Sequence, residues 1–102
     1  MVMNSGERLT TTNFVFFYKR DATLGSSRFG FVVSKAVGGA VKRNSVKRKL
    51  RAQSLALLQT RSPGSTFWFA VRCLPGSALI DSKQVETELF GAFRQLEARA
   101  TK

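Results

Sequence analysis

Hydrophobic and polar positions divide the chain into five short elements. Asn13-Phe14-Val15-Phe16-Phe17-Tyr18-Lys19 is aromatic and β-branched and predicts a strand, followed by a turn over Asp21 to Ser27. Arg28-Phe29-Gly30-Phe31-Val32-Val33-Ser34 predicts a second strand, and adjacency suggests that the two form an antiparallel hairpin with a loop of medium length. After Val37-Gly38-Gly39-Ala40 the period changes. Val46, Leu50, Gln53 and Leu57 recur at i, i+4, i+7 and i+11, one face of a helix, while Lys47, Arg48 and Arg51 fall on the neighbouring arc with Asn44 one turn before Arg48. Ser62-Pro63-Gly64-Ser65 breaks the chain before a third strand, Thr66-Phe67-Trp68-Phe69-Ala70-Val71-Arg72, apolar on both faces as a central strand would be.

Leu74-Pro75-Gly76-Ser77 turns again, and a second helix is expected from Asp81. Asp81 stands as its N-cap, Gln84 in the capping-box position, and Val85, Leu89, Phe93 and Leu96 form an apolar stripe. Strands and amphipathic helices in this order predict a single α+β domain over residues 1–102, a sheet with helices packed against it. No internal repeat or low-complexity tract interrupts it.

Charge adds what the apolar pattern cannot. Seventeen Lys and Arg oppose six Asp and Glu, a net charge of +11, on a chain whose apolar content of 43% supports a core. The acids are Glu7, Asp21, Asp81, Glu86, Glu88 and Glu97, so nothing negative lies between Ala22 and Ile80, where ten of the cations fall. Six of these ten lie between Lys42 and Arg51. A solvated helix ordinarily interleaves both signs, so an all-positive stretch repels itself and calls for an external anion. Lipid, nucleic acid and acidic protein all remain open on composition. The clustered helix, with Lys35 in the preceding loop and the Asn44 amide among its cations, favours nucleic acid.

Other chemistry finds little support. The chain has no histidine, which removes the usual acid and base near neutral pH and the commonest zinc ligand. The lone Cys73 sits among apolar residues and reads as a buried side chain, consistent with a reducing, cytoplasmic setting. No apolar run approaches the roughly 20 residues that span a bilayer, no secretory signal is visible, and no membrane partner is expected. Gly38-Gly39 before Lys42 lacks the spacing of a phosphate-binding loop. Phe29-Gly30-Phe31-Val32 matches part of the RNP1 strand of an RNA recognition motif, but Ser27, Arg28 and Ser34 miss its defining positions. The aromatic strands could stack unpaired bases, although aromatic residues in strands are more often core.

The segment from Gly30 to Arg51 closely resembles the signature of the bacterial ribonuclease P protein component: a strand ending Ser34-Lys35, a glycine-containing loop, and a helix opening Arg43-Asn44 with Lys47, Arg48 and Arg51 at the motif's spacing. Phe14-Val15-Phe16-Phe17 is similar to that family's first aromatic strand, and Val71-Arg72 with Pro75-Gly76 to the end of its last. Two departures accompany the match. Ser45 replaces the motif's second arginine, and the resemblance leads us to expect that the family's N-terminal helix is not part of this sequence, which starts near the turn after it, at Gly6 and Arg8.

The resemblance implies a two-layer α+β sandwich like domain 2 of ribosomal protein S5, with a left-handed βαβ crossover between parallel strands. It also implies a role in 5′ maturation of precursor tRNA. In that family the RNA subunit is the catalyst and its bound Mg²⁺ activates water, so no cofactor is expected on the protein and no protein residue is catalytic. Ser34, Lys35, Arg43, Asn44, Lys47, Arg48 and Arg51 would contact ribonuclease P RNA, while Val15 and Phe17 would line a cleft for the 5′ leader of precursor tRNA. A noncatalytic RNA-binding module, such as a ribosomal or RNA-chaperone protein, is the alternative from a different class. Oligomeric state is not legible.

Overall fold

The computed structural model describes residues 6–21, 25–59 and 66–100. Its strands are β1 (Glu7–Thr10), β2 (Phe14–Arg20), β3 (Arg28–Val32) and β4 (Phe67–Cys73); its long helices are α1 (Ala40–Gln59) and α2 (Ser82–Ala100). Short 3-10 helices at Lys35–Val37 and Pro75–Leu79 lead into α1 and α2. The sheet runs β1-β2-β4-β3, antiparallel except for the parallel pair β3 and β4. This α+β arrangement is the predicted class, and the parallel pair joined through α1 is the crossover that the family resemblance implied.

The expected hairpin between β2 and β3 does not form. Strand β4 lies between them, with Tyr18 opposite Phe69 on one side and Phe29 opposite Phe69 on the other. The reason is burial: β4 brings Phe67, Phe69 and Val71, all at most 1% exposed, and the centre of the sheet lets both neighbouring strands cover them. The turn expected over Asp21 to Ser27 lies partly outside the described residues, and the Ser62 to Ser65 break wholly so. Around Gly6 and Arg8, where a turn was expected, the chain forms β1, paired with β2 from Glu7 opposite Tyr18 to Thr10 opposite Val15. Gly6 itself suits the close approach there, because a Cβ would collide with the Tyr18 carbonyl.

Alternation then sorts the sheet into two faces. Phe14, Phe16 and Tyr18 of β2 join Phe67, Phe69, Val71 and Cys73 of β4 against the helices, sealed by Val46, Leu50 and Leu57 of α1 and Val85, Leu89, Phe93 and Leu96 of α2. Phe93 is the centre of the aromatic packing, its ring centroid 5.4, 5.0 and 5.2 Å from those of Tyr18, Phe67 and Phe69. Edge-on and tilted contacts of this kind contribute about 0.5–1.5 kcal/mol each beyond burial. The predicted α1 face needs one correction: Ser54 (4% exposed) is buried and Gln53 only half-buried, because the buried arc is displaced from Val46 towards Leu50 and takes in position 54 at its far side, leaving position 53 at its margin.

The α2 start is as expected in one half. Asp81 Oδ1 accepts from the Gln84 backbone N–H at 2.9 Å, while the Gln84 side chain points forward to Glu88 at 3.0 Å rather than back to the cap. Glu88, 8% exposed, also accepts from Thr11 Oγ1 at 2.6 Å, Asn13 N–H at 3.1 Å and Asn13 Nδ2 at 2.6 Å. One carboxylate thus ties the β1–β2 turn to α2. Both helices lie on one side of the sheet, so β4 is not covered on both faces as its apolar sequence suggested: Trp68 and Arg72 are exposed.

Candidate nucleic-acid interface

The two faces of α1 differ because the core row takes every apolar residue of its first three turns except Ala40 and Val41, leaving the outer rows largely to cations. Asn44, Arg48 and Arg51 are exposed on one row at i, i+4 and i+7, flanked by half-buried Lys47. Among the described residues no carboxylate pairs with Lys42, Arg43, Lys47, Arg48 or Arg51. Arg43 is half-buried, and its Nε has no hydrogen-bond partner. The helix therefore carries an uncompensated field, strongest over its first three turns. Lys49 stands apart from this set, donating to the Ile80 carbonyl at 3.0 Å and fastening α1 to the turn before α2.

Ser34 and Lys35 are exposed where β3 hands over to α1, and the Ser34 hydroxyl makes no capping bond. Gly38 makes the handover possible. Its φ of 149° lies in a region that L side chains rarely adopt, and a Cβ there would approach Lys42 Cδ to 2.8 Å. The short helix Lys35–Val37 packs against α1, so Lys35 adjoins the helix that carries Arg43, Asn44, Lys47, Arg48 and Arg51. Ser45, in place of the motif arginine, is half-buried beside them.

The two expected cleft residues lie on the sheet face opposite the helices. Val15 is half-buried, whereas Phe17 is only 8% exposed, most of its surface covered by neighbours. The register adds residues that the sequence did not single out. Lys19, Trp68 and Arg28 form one cross-strand row; Arg8, Phe17, Ala70 and Gly30 the next; Thr10, Val15, Arg72 and Val32 the third. Among the described residues these three rows hold the cations Arg8, Lys19, Arg28 and Arg72 and no carboxylate, with Trp68 between Lys19 and Arg28. Period-2 alternation within Phe67–Cys73 could have revealed this face, but Trp68 and Ala70 are apolar enough to read as core.

Cys73 plays no part in either surface. It is buried, and burial pushes its thiol up to about 11, so it stays protonated and unreactive. No three His, Cys, Asp or Glu side chains converge among the described residues in a way that could hold a metal ion. No described helix is long and apolar enough to cross a membrane.

With this geometry in hand, comparison with known proteins identifies the fold and the family. The family model described as Ribonuclease P matches residues 1–97. The chain belongs to the ribonuclease P protein family. The ribonuclease P protein component of Beutenbergia cavernae is 48% identical over 73 residues, and that of Streptomyces bikiniensis 46% over 76, covering 72% and 74% of this chain. The chain spans 60% of the length of each. Among solved structures, the Staphylococcus aureus RNase P protein superposes with a TM-score of 0.78 at 20% identity, covering 91% of this chain and 83% of that one. The Thermotoga maritima protein does so with a TM-score of 0.77 at 21% identity, covering 92% and 86%. At such identities these two carry the fold of the ribonuclease P protein and not its residue roles.

Proposed function

We propose that this ribonuclease P family member acts as the protein subunit of the ribonucleoprotein, binding the catalytic RNA along α1 and the 5′ leader of precursor tRNA on the open sheet face. The observation that carries the reading is the unpaired cationic row of α1, in which Asn44, Lys47, Arg48 and Arg51 stand at the family motif's spacing. Those cations, with Arg43, Lys35 and Ser34, neutralise phosphates and release condensed counterions, so affinity falls steeply with salt.

On the open face, Val15, Phe17 and Trp68 offer apolar and stacking contact to unpaired bases while Arg8, Lys19, Arg28 and Arg72 follow the leader backbone. Binding the leader on one surface and the RNA catalyst on another holds the scissile phosphodiester against the RNA active site. Mg²⁺ bound to that RNA would supply the activated water, so that no side chain of this chain would need to transfer a proton. A cytoplasmic setting suits the single buried thiol.

Reconstitution tests the reading against a noncatalytic RNA-binding module. Added to bacterial ribonuclease P RNA, the chain is expected to lower the Mg²⁺ concentration needed to cleave precursor tRNA at its 5′ end. RNA binding without any effect on cleavage at low Mg²⁺ would favour the module instead.

A further inference from the structure

The row of α1 that begins with Asn44, Arg48 and Arg51 does not end with its cations. It continues through Leu55 and Leu58, at i+11 and i+14 from Asn44, and these two leucines are 58% and 38% exposed. Opposite them, edge strand β3 presents Phe29 and Phe31, half-buried. Arg51, Ser54, Leu55, Leu58, Phe29 and Phe31 line an open groove of about 230 Å³. That is smaller than the roughly 300–1,000 Å³ of a whole-ligand pocket, and suits one planar ring system.

A second feature lies in its floor. Ser54 is 4% exposed, and its Oγ has no hydrogen-bond partner among the described residues. The hydroxyl is shut off beneath the surface, so the lining that the groove presents is almost wholly apolar. Charge then selects the occupant. Arg51 stands at the rim, and nothing acidic occurs in sequence from Ala22 to Ile80, so the ligand brings an anion with it.

We infer that the groove between the C-terminal half of α1 and β3 seats one unpaired base of the RNA lying along α1. The base packs on Phe29, Phe31, Leu55 and Leu58 and leaves its phosphate at Arg51. This rests on the proposed binding of RNA along α1. It adds an apolar anchor at the end of an electrostatic surface, and with it a preference for RNA that can extrude a base there.

The experiment compares wild type with a Leu55→Ser/Leu58→Ser variant in binding to bacterial ribonuclease P RNA over a range of salt. Both leucines are exposed enough for the variant to fold, which circular dichroism verifies. Affinity is expected to fall about tenfold, as for a lost base contact, with the salt slope unchanged because no phosphate contact is removed. Chemical probing of the bases should show one position protected by wild type and released in the variant, and replacing that nucleotide by an abasic one should weaken wild type alone. Unchanged affinity and protection would overturn the inference. So would a wild-type chain that sediments as a dimer, dissociated by the variant without loss of RNA affinity, since the groove would then join two copies. Lys47→Ala and Arg48→Ala keep the two levels apart: if neither lowers the salt slope, the reading of α1 as the RNA surface fails and the groove with it. If both lower it while the leucine variant changes nothing, only the groove assignment fails.

Discussion

Replacing Glu88 tests how this fold is held together, because its carboxylate accepts four hydrogen bonds and joins segments more than seventy residues apart in sequence. Two of the donors belong to Asn13, itself 7% exposed, so Glu88→Ala strands a buried backbone N–H and a buried amide. An unsatisfied buried donor costs about 1–3 kcal/mol, and water entering the cavity recovers part of it. A loss of about 3 kcal/mol follows, against a total of about 5–15 for a domain of this size. Glu88→Gln keeps the shape but replaces one acceptor by a donor facing Thr11 or Asn13, for about 2 kcal/mol.

The pH dependence has a definite sign. Burial pushes the Glu88 carboxyl up, but the bonds from Thr11, Asn13 and Gln84 outweigh it, and the net displacement is downward. A folded-state value below the unfolded one, about 4.3 for glutamate, means that the contribution is complete above that value and is lost as pH falls through the lower, folded one. Urea unfolding followed by circular dichroism, at about pH 7 and in acid, should show wild type losing this increment and Glu88→Gln lacking it throughout. A Glu88→Ala variant within about 0.5 kcal/mol of wild type at neutral pH would refute the reasoning, since that is the range of an ordinary surface change.

Three further outcomes are expected. Lys47→Ala and Arg48→Ala should each reduce the slope of log affinity against log salt by about one in binding to ribonuclease P RNA, and an unchanged slope would take those cations off the phosphates. Gly38→Ala should destabilise the chain by about 1 kcal/mol or more in urea melts, because alanine is strained at that φ and meets Lys42; equal stability would show that the loop has another conformation open to it. The single tryptophan, Trp68, is 38% exposed on the open face, so its fluorescence should respond to a single-stranded RNA leader, and Trp68→Ala should weaken leader binding by about tenfold while leaving ribonuclease P RNA binding unchanged.

The sequence announced the elements better than their arrangement. Strand and helix periods found β2, β3, β4, α1 and α2, and the stripe Val85, Leu89, Phe93 and Leu96 lies in the core as expected, each at most 3% exposed. Short β1 was missed because Glu-Arg-Leu-Thr has little apolar signal; its pairing comes from β2. Strand order was illegible for a different reason. Alternation in Phe14–Arg20 and Arg28–Val32 says which side chains share a face, but not that β4, thirty-five residues on from β3, will come between them. Only competition for burial across the whole chain decides that, and the local pattern does not contain it.

The same limit explains which candidate residues could be grouped from the sequence. The residues expected on RNA could be named as one group because they lie in one helix and its leading loop, where position along the sequence fixes position on the surface. The open sheet face was legible only at Val15 and Phe17, because its other members come from four strands and meet through the register. Lys19, Trp68 and Arg28 are neighbours only because β4 runs between β2 and β3. Had the expected hairpin formed, Lys19 and Arg28 would have lain on adjacent strands with Trp68 elsewhere. The insertion that defeated the topological expectation is therefore what places an aromatic ring between two cations, the combination that single-stranded RNA can use.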